Sequence, residues 1–147
     1  MMPKIGASLA LAFSVTVFTA YSQVATPEMD KILTNAAQSL AAMQFDSNAP
    51  VTIRGRVSTL VWPERSSGMV LIEADQTGEK YAFSTAGIPA MAKQGFTRFA
   101  LHPGEEVVVT GVLANGRAKI SPGFDAARAD LITKADGTRV FDRSRLP

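Results

Sequence analysis

Residues with obvious chemical reactivity are few in this chain. His102 is the single histidine, and there is no cysteine. A metal site or a nucleophilic triad needs a second ligand or an oriented base beside a histidine. We therefore interpret His102, which directly precedes Pro103-Gly104, as a turn residue at the start of a strand. The lack of cysteine excludes disulfides and thiolate chemistry.

The carboxylates form no recognisable acid–base or metal-binding pattern. Glu105 and Glu106 are adjacent, and neighbours on a strand point to opposite faces. The segment 75–79 has too few Asp and Asn residues for a calcium loop, and glycine-rich phosphate motifs are absent. We expect no catalytic residue, no metal and no cofactor, so the chain is predicted not to be an enzyme.

Ligand binding has more support, from aromatic and basic residues in and beside two predicted strands. The candidate binding residues are Trp62, Arg65, Tyr81 and Arg98. Aromatic rings and arginines together can stack on and hold a flat or anionic ligand. The alternative is structural, with Tyr81 facing the core beside Phe83, Trp62 covering one end of the domain, and the arginines solvated.

The first 22 residues predict export. Lys4 supplies a positive start, and residues 5–21 are apolar, small or hydroxylated. Ala20 and Ser22 occupy the small-residue positions before a cleavage point between Ser22 and Gln23. The apolar run is shorter than the ~20 residues of a membrane span, although a retained anchor is the alternative. We expect a periplasmic or secreted protein with no stable membrane span after cleavage.

The charge is close to balanced but unevenly distributed. The net charge is +2, and the chain beyond residue 22 has 14 basic and 13 acidic residues. A nucleic-acid binder usually carries a basic stripe, so no nucleic-acid partner is expected. From Arg117 to the end there are seven basic residues but only four acidic ones, all Asp. This excess is interpreted as a solvated basic surface, or as a contact with anionic lipid or an acidic partner.

An amphipathic helix is predicted within residues 23–44. Thr26-Pro27-Glu28 is a typical helix start, with a hydroxyl cap, proline and an acid in the first turn. Apolar residues then recur at helical spacing, among them Met29, Ile32, Leu33 and Leu40. This stripe packs on its own domain or, alternatively, mediates self-association or binds a partner.

From residue 51 the pattern changes to short strands and turns. The predicted strands are 51–62, 69–74, 80–85, 106–113 and 117–120, with a closing hairpin of 129–133 and 138–141. A short helix over 89–94 separates the third and fourth strands, Asn115-Gly116 is a tight turn, and 121–128 is irregular. Gly55 predicts a bend or bulge in the first strand. This order predicts a mainly β chain, an OB-like β-barrel of five to six strands over 45–142, followed by a tail at 143–147.

Landmark residues spread in order over about two thirds of the chain carry a family resemblance. They are Phe45-Asp46, Ala49-Pro50-Val51-Thr52, Gly55, Val57, Trp62, Gly95-Phe96-Thr97-Arg98, Leu101, Pro103-Gly104-Glu105, Val107 to Gly111, Asp136-Gly137 and Phe141. With them, the chain resembles a family of short exported bacterial proteins of unknown function with an OB-like domain. Relatives often have a histidine pair and an Asn-Pro-His motif where this chain has Met43-Gln44 and 63–66. Metal binding through those histidines therefore does not transfer, and the resemblance implies no established activity.

Three functional hypotheses follow from the sequence. The first is an exported, non-enzymatic OB-like binding or envelope-associated module that binds an unknown small molecule or envelope protein near Trp62–Tyr81. The second is a structural or interaction protein that uses helix 29–43 to bind a partner or itself, through Met29, Ile32, Leu33 and Leu40. The third is an enzyme with an unrecognised site.

Overall fold

The computed structural model describes residues 27–63, 66–120 and 123–146. Within these ranges the chain forms two α-helices and seven β-strands. In chain order they are α1 (Pro27–Ala41), β1 (Phe45–Val61), β2 (Ser67–Ala74), β3 (Lys80–Gly87), α2 (Ile88–Lys93), β4 (Glu106–Ala114), β5 (Lys119–Ile120), β6 (Phe124–Lys134) and β7 (Arg139–Asp142). The predicted signal segment, residues 1–22, lies outside the described residues. Neither helix is long and apolar enough to span a membrane.

The mainly β composition is confirmed, with a helix before the strands and a short helix between the third and fourth strands. The described strands number seven, whereas the sequence predicted five to six. The helix α1 lies within the predicted 23–44, and its first turn carries Glu28 and Asp30. The chain divides into two compact units between Ile32 and Leu33. The contacts of α1 described below belong to its second part, from Leu33 onward.

All seven strands belong to one sheet. Its order is β3-β2-β1-β4-β6-β5, and β7 pairs with β6. These pairs are antiparallel. In addition, β3 pairs with β6 in parallel, from Tyr81 opposite Asp125 to Ser84 opposite Arg128. The pairings of β3, β2, β1, β4 and β6 therefore form a closed circuit, in which neither β3 nor β6 is an edge.

The strand β6 is the largest departure from the prediction. The sequence predicted an irregular segment over 121–128, but β6 already begins at Phe124. Pro122 and Gly123 at its start, and alanines, which are depleted in strands, give this segment no strand signal of its own. Ala126, Ala127 and Ala129 are fully buried in a strand that pairs with β3 and β4 along most of its length. Tertiary pairing thus overrides the weak local preference.

The strand β1 is also longer than predicted, and its irregularity lies elsewhere. It includes residues 46–50, which precede the predicted start of the first strand at residue 51. Its register on β2 shifts between Val57 and Thr59, and not at Gly55. Leu60 consequently packs on the same side as Val57, while Val61 joins the opposite face.

Two glycines allow neighbouring strands to approach closely. A Cβ atom at Gly55 would lie 2.3 Å from the carbonyl oxygen of Glu73. A Cβ atom at Gly111 would lie 1.9 Å from the carbonyl oxygen of Arg128. Real Cβ atoms cannot approach backbone this closely, so β1 and β4 need glycine where β2 and β6 cross them.

The buried side chains form two clusters on opposite faces of the sheet. The aromatic cluster includes Val70, Ile72, Phe83, Phe96 and Phe141. The helix-side cluster includes Ala37, Leu40, Met69, Leu71, Ala82, Ala114, Ile120 and Ala126. Alternate residues of β2 and β3 contribute to one cluster or the other, as expected for strands buried on both faces.

Packing in the helix-side cluster limits how much of the α1 surface is accessible to a partner. Leu40 is 0 % exposed and Ala37 is 1 % exposed. Leu40 was predicted as a self-association residue, but its contacts are with its own domain. Leu33 is half-buried against the same cluster, whereas Ile32 is 59 % exposed.

The last turn is bound to the sheet, although the sequence predicted a tail from residue 143. The guanidinium of Arg143 donates to the carbonyl oxygens of Ala129 at 2.8 Å, Ser84 at 3.3 Å and Thr85. It also lies over the ring of Phe141, 5.6 Å from the centroid. Burial lowers the pKa of Arg143, an effect that the neighbouring Arg128 reinforces and Asp130 opposes. Arg143 thus joins β3 to β6 just beyond their last parallel pair.

Shortening Leu40 tests whether α1 belongs to the core. We expect Leu40→Ala to lower the free energy of unfolding by about 2–5 kcal/mol, because it leaves a cavity in a fully buried position. Gln38→Ala, on the exposed side of the same turn, is the control and should change it by less than about 0.5 kcal/mol. Urea unfolding measures both. Equal stability of the two variants would contradict the packing of α1 on the sheet.

Candidate functional site

Of the predicted binding residues, the three that the structure describes, Trp62, Tyr81 and Arg98, do not lie together at one site. Trp62 is half-buried and stacks on Phe96, with ring centroids 6.0 Å apart and planes at 5°. Arg98 is exposed in the loop two residues beyond Phe96. Arg65 lies outside the described residues. Trp62 therefore covers the aromatic cluster, as the structural alternative predicted.

Tyr81 lies towards the other end of the sheet. Trp62 follows Val61, the last residue of β1. Val61 pairs with Met69 of β2, and Met69 in turn pairs with Ser84 of β3. Tyr81 lies three residues before Ser84 along β3, which corresponds to about 10 Å at the usual rise of a strand. The side chain of Tyr81 is buried and stacks on Phe83 at 5.9 Å between centroids. The prediction that Tyr81 and Phe83 share a core-facing side is confirmed.

The hydroxyl of Tyr81 is held in a negatively charged environment. It donates a hydrogen bond to Glu79 Oε2 at 2.9 Å. Burial, followed by this bond and the charges of Glu79 and Asp125, raises the pKa of Tyr81 to about 12, while Arg117 opposes the shift. Three charged side chains from three parts of the chain, Glu79, Asp125 and Arg117, therefore act on this hydroxyl.

One face of β2 and β3, where the OB-like barrel expected from the sequence would bind a ligand, is covered. OB barrels bind ligands on the face of their second and third strands and in neighbouring loops. Here one face of β2 and β3 faces the aromatic cluster. The other face, with Met69, Leu71 and Ala82, packs with Ala37 and Leu40 of α1. A ligand has no access to that face while α1 is in place.

An open groove of about 710 Å³ lies beside Tyr81. It is formed by the β2–β3 turn and the connection from β4 to β6. The groove is lined by Gly78, Glu79, Lys80, Arg117, Lys119, Gly123 and Asp125. The turn matches the predicted hairpin, with Ala74 N–H donating to the Glu79 carbonyl at 2.8 Å. We refer to this concavity as the basic groove, because three of its side chains are cationic and two are anionic.

The cations of the basic groove are held differently. Lys119 is paired with Asp125, a carboxylate in a buried residue. Lys80 extends over the ring of Phe124, with its Nζ atom 5.9 Å from the centroid. Arg117 makes no hydrogen bond or ion pair with any described residue. The groove thus has one neutralised cation and two cations whose charge is not cancelled by a partner.

The backbone at Arg117 is strained. Its φ is +53°, and it is the one non-glycine residue with positive φ in the described ranges. The sequence predicted a tight turn at Asn115-Gly116, but the left-handed residues are Gly116 and Arg117. A left-handed conformation costs a residue with a Cβ atom about 1–2 kcal/mol. Asn115 anchors the turn by donating its N–H to the carbonyl of Gln44 at 3.0 Å.

Tyr81 was predicted from the sequence, whereas Lys80, Arg117 and Lys119 were not predicted to lie together. The signal for two of them was the excess of basic residues that begins at Arg117. That excess does not indicate which basic residues lie close together in the folded chain. Lys80 is 37 residues away from Arg117 in the chain, and only the pairing of β3 with β6 brings their segments together.

A second concavity of about 420 Å³ lies between α2 and β7. It is lined by Lys93, Arg139 and Arg145 around Asp142, among others. Asp142 pairs with Arg139 at 3.2 Å and with Arg145 at 3.7 Å. The pKa of Asp142 is lowered, first by its hydrogen bond with Ser144 and also by these arginines, although desolvation opposes the shift. Two of the three cations here already have a carboxylate partner.

Glu105 and His102, weighed above as chemical groups, are part of a structural clamp. Glu105 Oε2 lies 3.0 Å from Lys134 Nζ. Its other oxygen accepts the backbone N–H of His102 at 3.1 Å and lies 3.7 Å from His102 Nδ1. Burial of Glu105 would raise its pKa, but the hydrogen bonds from Lys134 and His102 outweigh it, so the pKa is lowered. Glu105 thus ties the start of β4 to the end of β6.

The described ranges hold no cluster of three or more His, Cys, Asp or Glu side chains that could bind a metal ion.

Comparison with known proteins adds one family. A family of unknown function, DUF6152, matches residues 30–120. No curated protein matches the chain.

The clamp predicts a pH dependence of stability. Because the folded-state pKa of Glu105 is below its ordinary 4.5, its stabilisation is complete above that pH and is lost as the pH falls through the folded value. Above pH 5 we expect Glu105→Gln to be less stable than the wild type by about 1 kcal/mol, with the difference shrinking below pH 4.5. Urea unfolding between pH 3 and 7 measures it.

The neighbouring Glu106 supplies the control for this measurement. It makes no ion pair with a described residue, so Glu106→Gln should follow the wild-type curve. A Glu105→Gln curve that keeps a constant offset from the wild type at all pH values would contradict the clamp.

Proposed function

We propose that this chain, which belongs to the DUF6152 family of unknown function, is an exported bacterial, non-enzymatic binding module built on an OB-like barrel. Its ligand site is the basic groove. The observation that carries the proposal is the contrast between two surfaces. The outer face of β2 and β3 is covered by α1, whereas the groove beside the same strands is open.

Three features of the fold support an OB-like barrel. Five strands pair in a closed circuit. The pairing that closes the circuit is parallel, between the third strand and the first long strand after β4. The short helix α2 lies between β3 and β4, at the position that such barrels use for their helix.

Export is supported by the sequence of residues 1–22. A positive start, an apolar centre and small residues before position 23 are the pattern of a cleavable signal peptide. Cleavage between Ser22 and Gln23 would leave a chain that begins just before α1. The proposed location is the periplasm.

Ligand binding in the groove is supported by its composition. Lys80 and Arg117 present charge that no carboxylate cancels, and the buried Tyr81 beside the groove holds Glu79 in place through its hydrogen bond. The groove lies where loops flank the second and third strands, as in ligand-binding OB barrels. Trp62, the other aromatic candidate, is engaged with Phe96. We therefore assign the binding role to the groove.

Native mass spectrometry of the protein purified from its own periplasm tests this proposal. We expect a chain that begins at Gln23 and carries an additional non-covalent mass. Lys80→Tyr should lose that mass, because the ring obstructs the groove whatever the charge of the ligand. The matched control is Lys93→Tyr, which alters the second concavity and should retain the mass.

Two results would contradict the proposal. A periplasmic chain that still contains residues 1–22 would contradict export with cleavage. An additional mass that Lys80→Tyr retains as fully as Lys93→Tyr does would contradict ligand binding in the basic groove.

A further inference from the structure

We infer that the ligand of the basic groove carries an oxyanion, a phosphate or a carboxylate, that is bound by Arg117 with the help of Lys80. This inference rests on the proposed function and adds the chemical class of the ligand. It also assigns a binding role to a residue in a strained turn.

Arg117 is chemically suited to this role. Its planar guanidinium presents several donors in a fork that matches two oxygens of a carboxylate or phosphate. The other two cations of the groove each contact another side chain of the protein, a carboxylate in one case and an uncharged aromatic ring in the other. Lys119 has Asp125, and Lys80 has the ring of Phe124. Among the described residues, none accepts a hydrogen bond from Arg117, so its donors face the open groove without a protein acceptor.

The backbone conformation of Arg117 gives a second, independent argument. A glycine would adopt a φ of +53° without strain, and Gly116 beside it does so at +66°. The turn instead holds an arginine in the unfavourable conformation. Strained residues persist where the surrounding structure holds them, and they concentrate at binding sites. The strain therefore supports a ligand-binding role for the Arg117 side chain in the groove.

The remaining groups of the groove define the rest of the ligand. Lys80 lies above Phe124 and lines the same groove as Arg117, so its ammonium adds a second positive charge to the site. One oxygen of Glu79 accepts from Tyr81, and the other accepts from no described residue. That oxygen is an acceptor for a hydroxyl group of the ligand. The groove therefore fits a small, hydroxylated oxyanion better than a flat apolar molecule.

The second concavity provides an internal comparison. It also has three cations, but Asp142 neutralises Arg139 and Arg145. Neither arginine has a positive φ. An oxyanion there would compete with an existing carboxylate, so we expect selective binding in the basic groove.

Titration of ¹⁵N-labelled protein with inorganic phosphate, and separately with acetate, tests the inference. Chloride at equal ionic strength is the reference. We expect saturable shifts of the amide signals of Gly78 and Gly123 with at least one of the two oxyanions. Arg117→Gly should bind at least tenfold more weakly, yet unfold thermally at the same or a higher midpoint because the turn is relaxed. Arg139→Gln is the matched control and should bind like the wild type.

Three results would overturn the inference: shifts that chloride reproduces, equal affinity in Arg117→Gly and the wild type, or no saturable shift with either oxyanion. If the non-covalent mass belongs to a neutral molecule and is lost in Lys80→Tyr, the assignment of an oxyanion ligand is overturned, but the groove remains the binding site. A mass retained by Lys80→Tyr would instead remove the proposed function itself.

Discussion

The parallel pairing of β3 with β6 joins the two ends of the sheet, and the other features of the domain depend on it. Unpaired, each strand would expose a row of backbone donors and acceptors. The pairing requires small residues where the strands meet under α1, and Ala82 lies opposite Ala126, both in the helix-side cluster. Beyond the last pair, Arg143 supplies hydrogen bonds to both strands. Gly111 allows β4 to approach the far side of β6.

Because β3 and β6 run in the same direction, their first residues lie at the same end of the sheet. This arrangement explains why Lys80 lies over Phe124 and why the β2–β3 turn faces the connection that contains Arg117. The basic groove is therefore a direct result of closure. Closure also presents the outer face of β2 and β3 as one apolar surface, which α1 covers with Ala37 and Leu40. The same pairing thus accounts for a covered face and an open groove beside it.

The elements with strong local signals could be predicted from the sequence. The helices, β2, β3 and β4 have regular periodicity or clear turn residues at their ends, and the structure places them within a few residues of the prediction. The first half of β6 could not be predicted, because its alanines are strand residues only through pairing with β3. The role of Arg143 was hidden for a similar reason, since its acceptors lie on strands far away in the chain. Of the candidate site, Tyr81 was predicted, whereas Lys80 and Arg117 come together only through closure.

Hydrogen exchange at the backbone amides of residues 82–84 tests closure most directly. Along a strand with a neighbour on each side, successive amides point alternately to the two neighbours. If β3 pairs with both β2 and β6, every one of these amides should be protected to the level of the central strands β1 and β4. If β3 is instead an edge, the amides that point away from β2 will exchange as fast as those of an exposed loop, and the closed sheet, with the groove that depends on it, is contradicted.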